Sequence, residues 1–542
     1  MRSVTTDPEL ARLAEHISRY GAEELGMTLP ECRFFILDPM EFAALLEKNV
    51  YPTSPANIWE GKRMLNKRRR IAQGQESALY YEVVQTGNPS YAYLNETNSA
   101  LTQASVMAHV LGHCEFSELN VLMDSDRDRT EQVMYLVRKV ELARRQMGER
   151  RYIDYWNACE SMIPLISPNA QYNLERSVEL EHRRTEKRER KGDSEAAPAP
   201  PLLNPVSSSL NELFAGDPVA PIAAAEKKRA KAENLSRRGY RLRTPCQDVA
   251  GFLRAHAPAS RAERMLLEYF YVSHMHQDFV IRTQIMNEGW AMYWEKKIML
   301  HLFTERMVTG VIDYSRVFSG VCYPRPYYQR NPYHLGYHLW EHIEEEFRTG
   351  RLSLEYREEP MRDVRDSWNR PSQRDPHEYM RQLVSTITDY EFLRRYLTTE
   401  LVEAYHLNRI PRSHGAALGI REDDVLRADR HWFWIDPEPI QKEMLDFFTH
   451  FGRPRIYVID DDFLDGGLLL FHRDDGRALR ADWIRPTLNN LKSIWKAPVY
   501  LLSQKYLHGF RAGKYEQQQV QCPTFEEVRE RMRDDRKPFE LE

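Results

Sequence analysis

Hydrophobic residues recur at helical spacing through most of the first third of the chain. The segment Leu101 to Asn120 contains one glycine and no proline, and Asn98 or Ser99 can cap its start. A second run, Thr130 to Ile163, places apolar residues three and four positions apart. These patterns predict long helices with one face buried.

The same spacing returns after Thr244. Ala262 to Phe270 and Ile281 to Phe303 are the clearest helical stretches, and a further helix is predicted for Leu335 to Phe347. Before that last helix, Tyr323 to Tyr333 is rich in proline and tyrosine, and we expect it to be irregular.

Beyond Gly452 the pattern changes to short apolar runs. Arg455 to Ile459, the residues after Gly467 and Pro498 to Leu502 are typical of strands, and Trp483 to Trp495 is predicted to be a helix. The predicted fold class is therefore a mainly α-helical core with irregular Pro/Tyr-rich segments, plus a small C-terminal α+β module.

Composition divides the chain into four parts. Residues 1–181 and 244–450 are predicted to be the two helical parts of one core, and residues 451–542 the C-terminal module. Proline, alanine, serine and charged residues dominate 182–243, which predicts a flexible linker, because such a segment cannot bury enough apolar surface to fold.

Charge and cysteine usage narrow the class of protein. The 542 residues include 76 Lys+Arg and 80 Asp+Glu, so the net charge of -4 gives no electrostatic support for a nucleic-acid partner. The six cysteines form no CxxC pair, and no apolar run has the length of a transmembrane helix or a signal peptide. These features predict a cytoplasmic protein without a transmembrane segment.

Two histidines are the first candidates for chemistry. His109 and His113 are four residues apart on a predicted helix, so both project from one face, as in helices that hold a metal between two imidazoles. Zinc peptidases with an HExxH motif carry their general base directly after the first histidine, where this chain has Val110. The alternative is that the two buried histidines only hydrogen-bond within a helix interface.

A later segment supplies candidate carboxylates. Glu288 and Glu295 are two helical turns apart, and an Asn-Glu-Gly stretch provides the third ligand in several two-histidine zinc enzymes. We therefore predict that His109, His113 and Glu288 bind a divalent metal, which would be zinc, or iron or manganese if both glutamates bind. Glu288 and Glu295 are the candidate catalytic residues, with Glu295 as general base or fourth ligand. The residues predicted to orient the ligands are Asn98, Asn120 and Asn287. The alternative role of Glu288 is to complement a helix dipole.

Several segments together resemble one family. They are Tyr91 to Ser99, Ala108 to Phe116 with Asn120, Ile285 to Ala291, Asn331 to Gly336 and Tyr396 to Leu401. On these segments the chain is identified as a member of the stage V sporulation protein R (SpoVR) family. It departs from the family pattern at Glu295, where the family usually has a histidine.

The resemblance implies a bacterial cytoplasmic protein involved in sporulation and in formation of the spore cortex, a peptidoglycan layer. Similar proteins occur beside a serine kinase and a von Willebrand-type protein, which are therefore the expected partners. Two functions are compatible with these observations. One is a metal-dependent amide hydrolase that acts on peptidoglycan or its precursors. The other is a non-catalytic regulatory or assembly protein in a kinase-linked pathway.

Overall fold

Secondary structure and packing come from a computed structural model. It describes residues 1–39, 41, 42, 45, 82–126, 129–167, 242, 244–275, 277–511 and 513–533. Apart from residue 242, the linker predicted at 182–243 lies outside the described residues.

Helices account for most of the described residues. In chain order they are α1 (Pro8–Glu23), α2 (Ala100–Leu119), α3 (Arg129–Met147), α4 (Glu149–Ser161), α5 (Val249–His256), α6 (Arg261–Met275), α7 (Gln277–Thr304), α8 (Val311–Val321), α9 (Pro332–Arg348), α10 (Leu354–Glu358), α11 (Arg362–Asp366), α12 (Pro376–Thr386), α13 (Asp389–Tyr396), α14 (Thr399–Ala404), α15 (Arg412–Gly415), α16 (Pro437–His450), α17 (Phe463–Gly466), α18 (Ala481–Trp495) and α19 (Phe525–Arg533).

The strands form three sheets. They are β1 (Arg2–Ser3), β2 (Cys32–Leu37), β3 (Glu82–Gln85), β4 (Ser90–Asn95), β5 (Arg409–Pro411), β6 (Val425–Ala428), β7 (Trp432–Ile435), β8 (Ile456–Asp462), β9 (Gly467–His472), β10 (Val499–Ser503), β11 (Tyr506–Arg511) and β12 (Lys514–Gln519). The strand orders are β1-β2-β4-β3, β5-β7-β6 and β12-β11-β10-β9-β8.

The predicted fold class is confirmed, because helices dominate and β8 to β12 form the core of a C-terminal α+β module. The helix predicted from Leu101 begins at Ala100, and the Ser99 side chain caps it by accepting a hydrogen bond from the Thr102 N–H. Periodicity over 130–163 missed a break at Gly148, whose φ of 76° separates α3 from α4.

The N-terminal sheet was not predicted. β2 and β4 pair in parallel and carry apolar or aromatic residues on both faces, so their pattern does not alternate between apolar and polar positions. Short apolar runs of this kind are ambiguous between strand and helix.

The described residues group into two compact units. The first comprises Met1–Arg138 and His276–Phe451, and the second comprises Lys139–Met275 and Gly452–Glu542. These units are defined by packing, and residues 168–241 lie outside the described ranges. The four-part division of the sequence therefore stays a prediction.

In the first unit, α7 lies between α2 and α9 at the centre of the core. Trp290 and Trp294 of α7 and Trp340 of α9 are fully buried, and the rings of Trp290 and Trp340 meet with centroids 4.9 Å apart. Burying several aromatic rings in one cluster fixes the positions of these helices, and α7 carries the Asn-Glu-Gly segment.

The second unit is built on the five-stranded sheet. β9 is buried along its whole length, and it pairs with β8 in the antiparallel sense and with β10 in the parallel sense. Glu263 is buried. It connects α4 to the end of α18 through ion pairs with Arg151 and Lys496. Its position indicates a structural role within this unit.

Candidate metal centre

Helix α2 presents His109 and His113 from one face. Both side chains are buried, with 6% and 7% of their surface exposed. Their ring centroids lie 4.7 Å apart and the ring planes are nearly perpendicular. The predicted placement of two imidazoles one turn apart is therefore what the structure shows.

Close packing of two helices brings a carboxylate to this face. A Cβ atom added at Gly112 would lie only 2.5 Å from the Cα atom of Ala291, so the backbones of α2 and α7 are in direct contact. Gly112 stands between the two histidines in sequence, and Ala291 is three residues after Glu288. The close contact of α2 and α7 at Gly112 therefore places Glu288 next to the two histidines.

The three predicted ligands converge. Oε2 of Glu288 lies 3.7 Å from Nε2 of His109 and 3.5 Å from Nε2 of His113. One ligand atom from each of the three residues falls within 4.8 Å of the others. Among the described residues, this is the cluster of three or more such side chains with the spacing a metal ion needs.

The opposite nitrogen of each imidazole is held by a second residue. Nδ1 of His109 lies 2.9 Å from Oε2 of Glu295, and Nδ1 of His113 lies 2.9 Å from Oδ1 of Asn287. Both partners are acceptors, so each neutral imidazole donates its proton from Nδ1. The lone pair of each Nε2 is then directed toward Glu288, as in metal sites with an outer carboxylate or amide.

The charge distribution fits a cation. Oε2 of Glu288 is buried and makes no hydrogen bond, which is costly for a carboxylate oxygen in the absence of a cation. Burial raises the pKa of Glu288, but His109, His113 and Tyr333 outweigh it and lower that pKa below its ordinary value. Burial lowers the pKa of His113, which keeps its imidazole neutral. One negative oxygen and two neutral nitrogens suit a divalent metal.

Glu295 lies behind His109 with respect to Glu288. Its Oε2 accepts from Nδ1 of His109 and its Oε1 accepts from the Ser105 hydroxyl at 2.5 Å. The imidazole therefore separates Glu295 from Nε2, the nitrogen that faces Glu288. The sequence suggested Glu295 as a base or a fourth ligand, and that role stays a prediction.

The three predicted orienting asparagines have different positions. Asn287 contacts His113 as described above. Asn120 caps the end of α2, where its amide donates to the Val384 carbonyl at 2.6 Å and accepts from the Leu122 N–H. Asn98 lies in the turn before α2, and eleven residues at 1.5 Å each put it about 16 Å along the helix from His109. The structure brings only Asn287 of the three to the histidines.

Sequence reasoning missed two residues of this site. Tyr333, in the second position of α9, has its ring centroid 6.1 Å from that of His109 and lowers the pKa of Glu288. It belongs to the Asn331 to Gly336 segment that carried the family resemblance. Ser105 is four residues before His109, and this helical spacing was the signal that could have identified it.

Comparison with known proteins agrees with the sequence motifs. The model of the SpoVR family, described as SpoVR like protein, matches residues 5–425, which is more than half of the chain and includes the whole cluster. The chain belongs to the SpoVR family. This membership supports a sporulation-related role.

A curated relative extends the comparison. The chain is 28% identical over 306 residues to Uncharacterized protein YcgB of Escherichia coli (strain K12), an alignment that covers 52% of this chain and 53% of that protein. The chain thus spans about half the length of the curated relative it matches. No solved structure matches this SpoVR chain. None of its described helices is both long enough and apolar enough to span a bilayer.

A buried aspartate supports the helical turn that carries the SpoVR Asn-Glu-Gly segment. Asp389, at the start of α13, is fully buried and accepts hydrogen bonds from the N–H groups of Ile285 at 2.8 Å and Met286 at 2.9 Å. These two residues directly precede Asn287 and Glu288. Asp389 therefore fixes the backbone from which both site residues project.

The buried Asp389 carboxyl should make the stability of the protein depend on pH. Burial raises the pKa of Asp389 from 3.8 to about 8, while the two N–H donors oppose that rise. The folded chain then holds a proton that the unfolded chain releases between these values, so stability should fall as pH rises from about 4 to 8. We expect Asp389→Asn to reduce the loss of melting temperature between pH 5 and pH 8. The exposed control Asp363→Asn should keep the wild-type profile, and equal profiles for all three proteins would contradict the assignment.

Proposed function

We propose that this SpoVR-family chain is a metal-dependent protein in which His109, His113 and Glu288 hold a divalent ion. The supporting observation is Oε2 of Glu288, which faces the Nε2 atoms of both imidazoles and makes no hydrogen bond although it is buried. The metal would be zinc, or iron or manganese, because imidazole and carboxylate ligands suit each of them.

The proposed reaction is hydrolysis of an amide bond in peptidoglycan or a precursor. A divalent metal bound in this way lowers the pKa of a coordinated water and polarises a carbonyl. Glu288 supplies the negative charge of the ligand set. Glu295 and Asn287 keep both imidazoles in the tautomer with the Nδ1 proton. The substrate class follows from the family's association with spore cortex, and the compartment we propose is the cytoplasm.

A non-catalytic function is the second candidate, and the positions of the possible bases favour it. Val110 is fully buried and has no ionisable group, and Glu295 is bound to Ser105 and His109. Among the described residues, the remaining carboxylate of the cluster is Glu288, which the proposal already uses as a ligand. A site of this kind would stabilise a regulatory or assembly protein, whose proposed partners are a serine kinase and a von Willebrand-type protein.

Metal analysis of the purified full-length chain tests the site. We expect about one equivalent of zinc, iron or manganese in the wild type and loss of most of it in His109→Ala and Glu288→Gln, because each removes one of three ligands. His301→Ala is the matched control, since His301 lies on α7 and bonds to His16 instead of the cluster. Equal and low metal content in all four proteins would rule out the site.

The role of Glu295 has its own test. Loss of a carboxylate that orients a histidine ligand typically weakens metal binding about 10-fold to 100-fold. We therefore expect Glu295→Gln to raise the zinc dissociation constant by that factor, as measured by competition with a chromogenic chelator. Glu305→Gln, just beyond α7 and exposed, should bind zinc like the wild type. Unchanged affinity in Glu295→Gln would exclude the orienting role.

An assay of amide hydrolysis distinguishes a catalytic metal site from a structural one. If the hydrolase function is right, the zinc-loaded wild type should release new amine groups from peptidoglycan fragments, and Glu288→Gln should not. A protein that binds metal and leaves these fragments intact would favour the regulatory or assembly function.

A further inference from the structure

Two cysteines of the first unit lie side by side although 82 positions separate them. Cys32 begins β2, and Cys114 is the residue after His113 on α2. Their sulfur atoms are 3.8 Å apart, and both residues are free thiols in the structure. Spacing along the chain does not indicate this pair, because the two cysteines are far apart in sequence.

We propose that Cys32 and Cys114 are a reversible dithiol–disulfide pair and thus an oxidation site beside the candidate metal centre. Sulfur atoms 3.8 Å apart are already in van der Waals contact. A disulfide bond is about 2.05 Å long, so the sulfurs must close by roughly 1.8 Å for the bond to form.

The two thiols differ in access, which sets their roles. Cys32 is partly exposed at the start of β2, whereas Cys114 is fully buried. A hydroperoxide therefore reaches Cys32, which takes up one oxygen to become a sulfenic acid while the peroxide is reduced to an alcohol or water. Cys114 sulfur then attacks the Cys32 sulfur, the S–S bond forms, and the hydroxyl leaves as water with the Cys114 proton. A dithiol reductant reverses the step.

The bond would join the sheet to the helix of the two histidines. Cys32 is held in the sheet by its pairing with Ser90, and Gly112 holds α2 against Ala291. Residual strain from the cross-link would fall on the turn that contains His113. An effect of oxidation on metal affinity therefore rests on the proposed function, whereas formation of the disulfide does not.

Peptide mapping of the full-length chain tests the pair. The reduced protein is treated with a small excess of hydrogen peroxide, alkylated and digested. We expect loss of two of the six free thiols, a mass lower by two hydrogen atoms, and a peptide that joins Cys32 to Cys114. Dithiothreitol should restore both thiols. A wild type that accumulates sulfinic acid, or joins other cysteines instead, would overturn the proposal.

Variants separate the two roles. Cys114→Ser should leave Cys32 as a sulfenic acid that dimedone labels, and Cys32→Ser should leave Cys114 unmodified because it is buried. Cys522→Ser removes another partly exposed cysteine and should form the Cys32–Cys114 bond like the wild type. The mapping of the wild type does not depend on metal, so it decides the proposal even if the metal centre is absent.

Discussion

Replacement of Gly289 by alanine is expected to lower the free energy of unfolding by about 3 kcal/mol, the upper end of the usual cost of overpacking. An added Cβ at Gly289 would lie 2.2 Å from the carbonyl carbon and 2.4 Å from the Cα of Gly336. Both are backbone atoms, so no side chain can rotate away and α7 must separate from α9. Denaturant unfolding of wild type and variant measures the effect.

The sign of this effect separates close packing from intrinsic helix propensity. Alanine is normally favoured over glycine inside a helix by up to about 1 kcal/mol. Gly320 of α8 is exposed, and a Cβ there meets no atom within 4 Å, so Gly320→Ala should be neutral or stabilising. Gly336→Ala should resemble Gly289→Ala, because its Cβ would lie 1.9 Å from the Ile285 oxygen. A stable Gly289→Ala would show that the two backbones are not in contact.

These glycines explain why residues chosen from the sequence lie close together in the structure. Helical spacing alone placed His109 and His113 on one face, and the Asn-Glu-Gly stretch indicated Glu288. The glycines within the two motifs, Gly112 and Gly289, are the positions where helices touch. The motifs therefore contain both the side chains that converge and the glycines at which α7 touches α2 and α9.

The spacing of residues along the sequence could not predict several contacts of the candidate site. Glu295 shares a helix face with Glu288, but a helical wheel does not tell which nitrogen of His109 a carboxylate reaches. Asn120 also shares the histidine face, yet it lies at the end of α2, where it caps the helix. Contacts between distant segments, such as Cys32 with Cys114, depend on tertiary packing that one sequence does not display.

A buried ion pair under the site is a further contact of this long-range kind. Glu115, two residues after His113, is fully buried. Its Oε1 accepts from Nε of Arg381 at 2.8 Å and from the Thr28 N–H, and its Oε2 accepts from the indole N–H of Trp290 at 3.0 Å. The carboxylate thereby connects α2, α7 and α12.

Replacement of Arg381 should lower the free energy of unfolding more than replacement of the arginine in an exposed ion pair. Arg381→Met would leave the Glu115 charge buried with only neutral donors, which typically costs about 3–5 kcal/mol in unfolding free energy. The control Arg394→Met breaks an exposed pair with Glu391 and should cost less than about 1 kcal/mol. Because the cost arises from the uncompensated charge, the double variant Glu115→Gln/Arg381→Met should be more stable than Arg381→Met alone. Denaturant unfolding of all four proteins checks this order, and equal destabilisation by Arg381→Met and Arg394→Met would mean that water reaches Glu115.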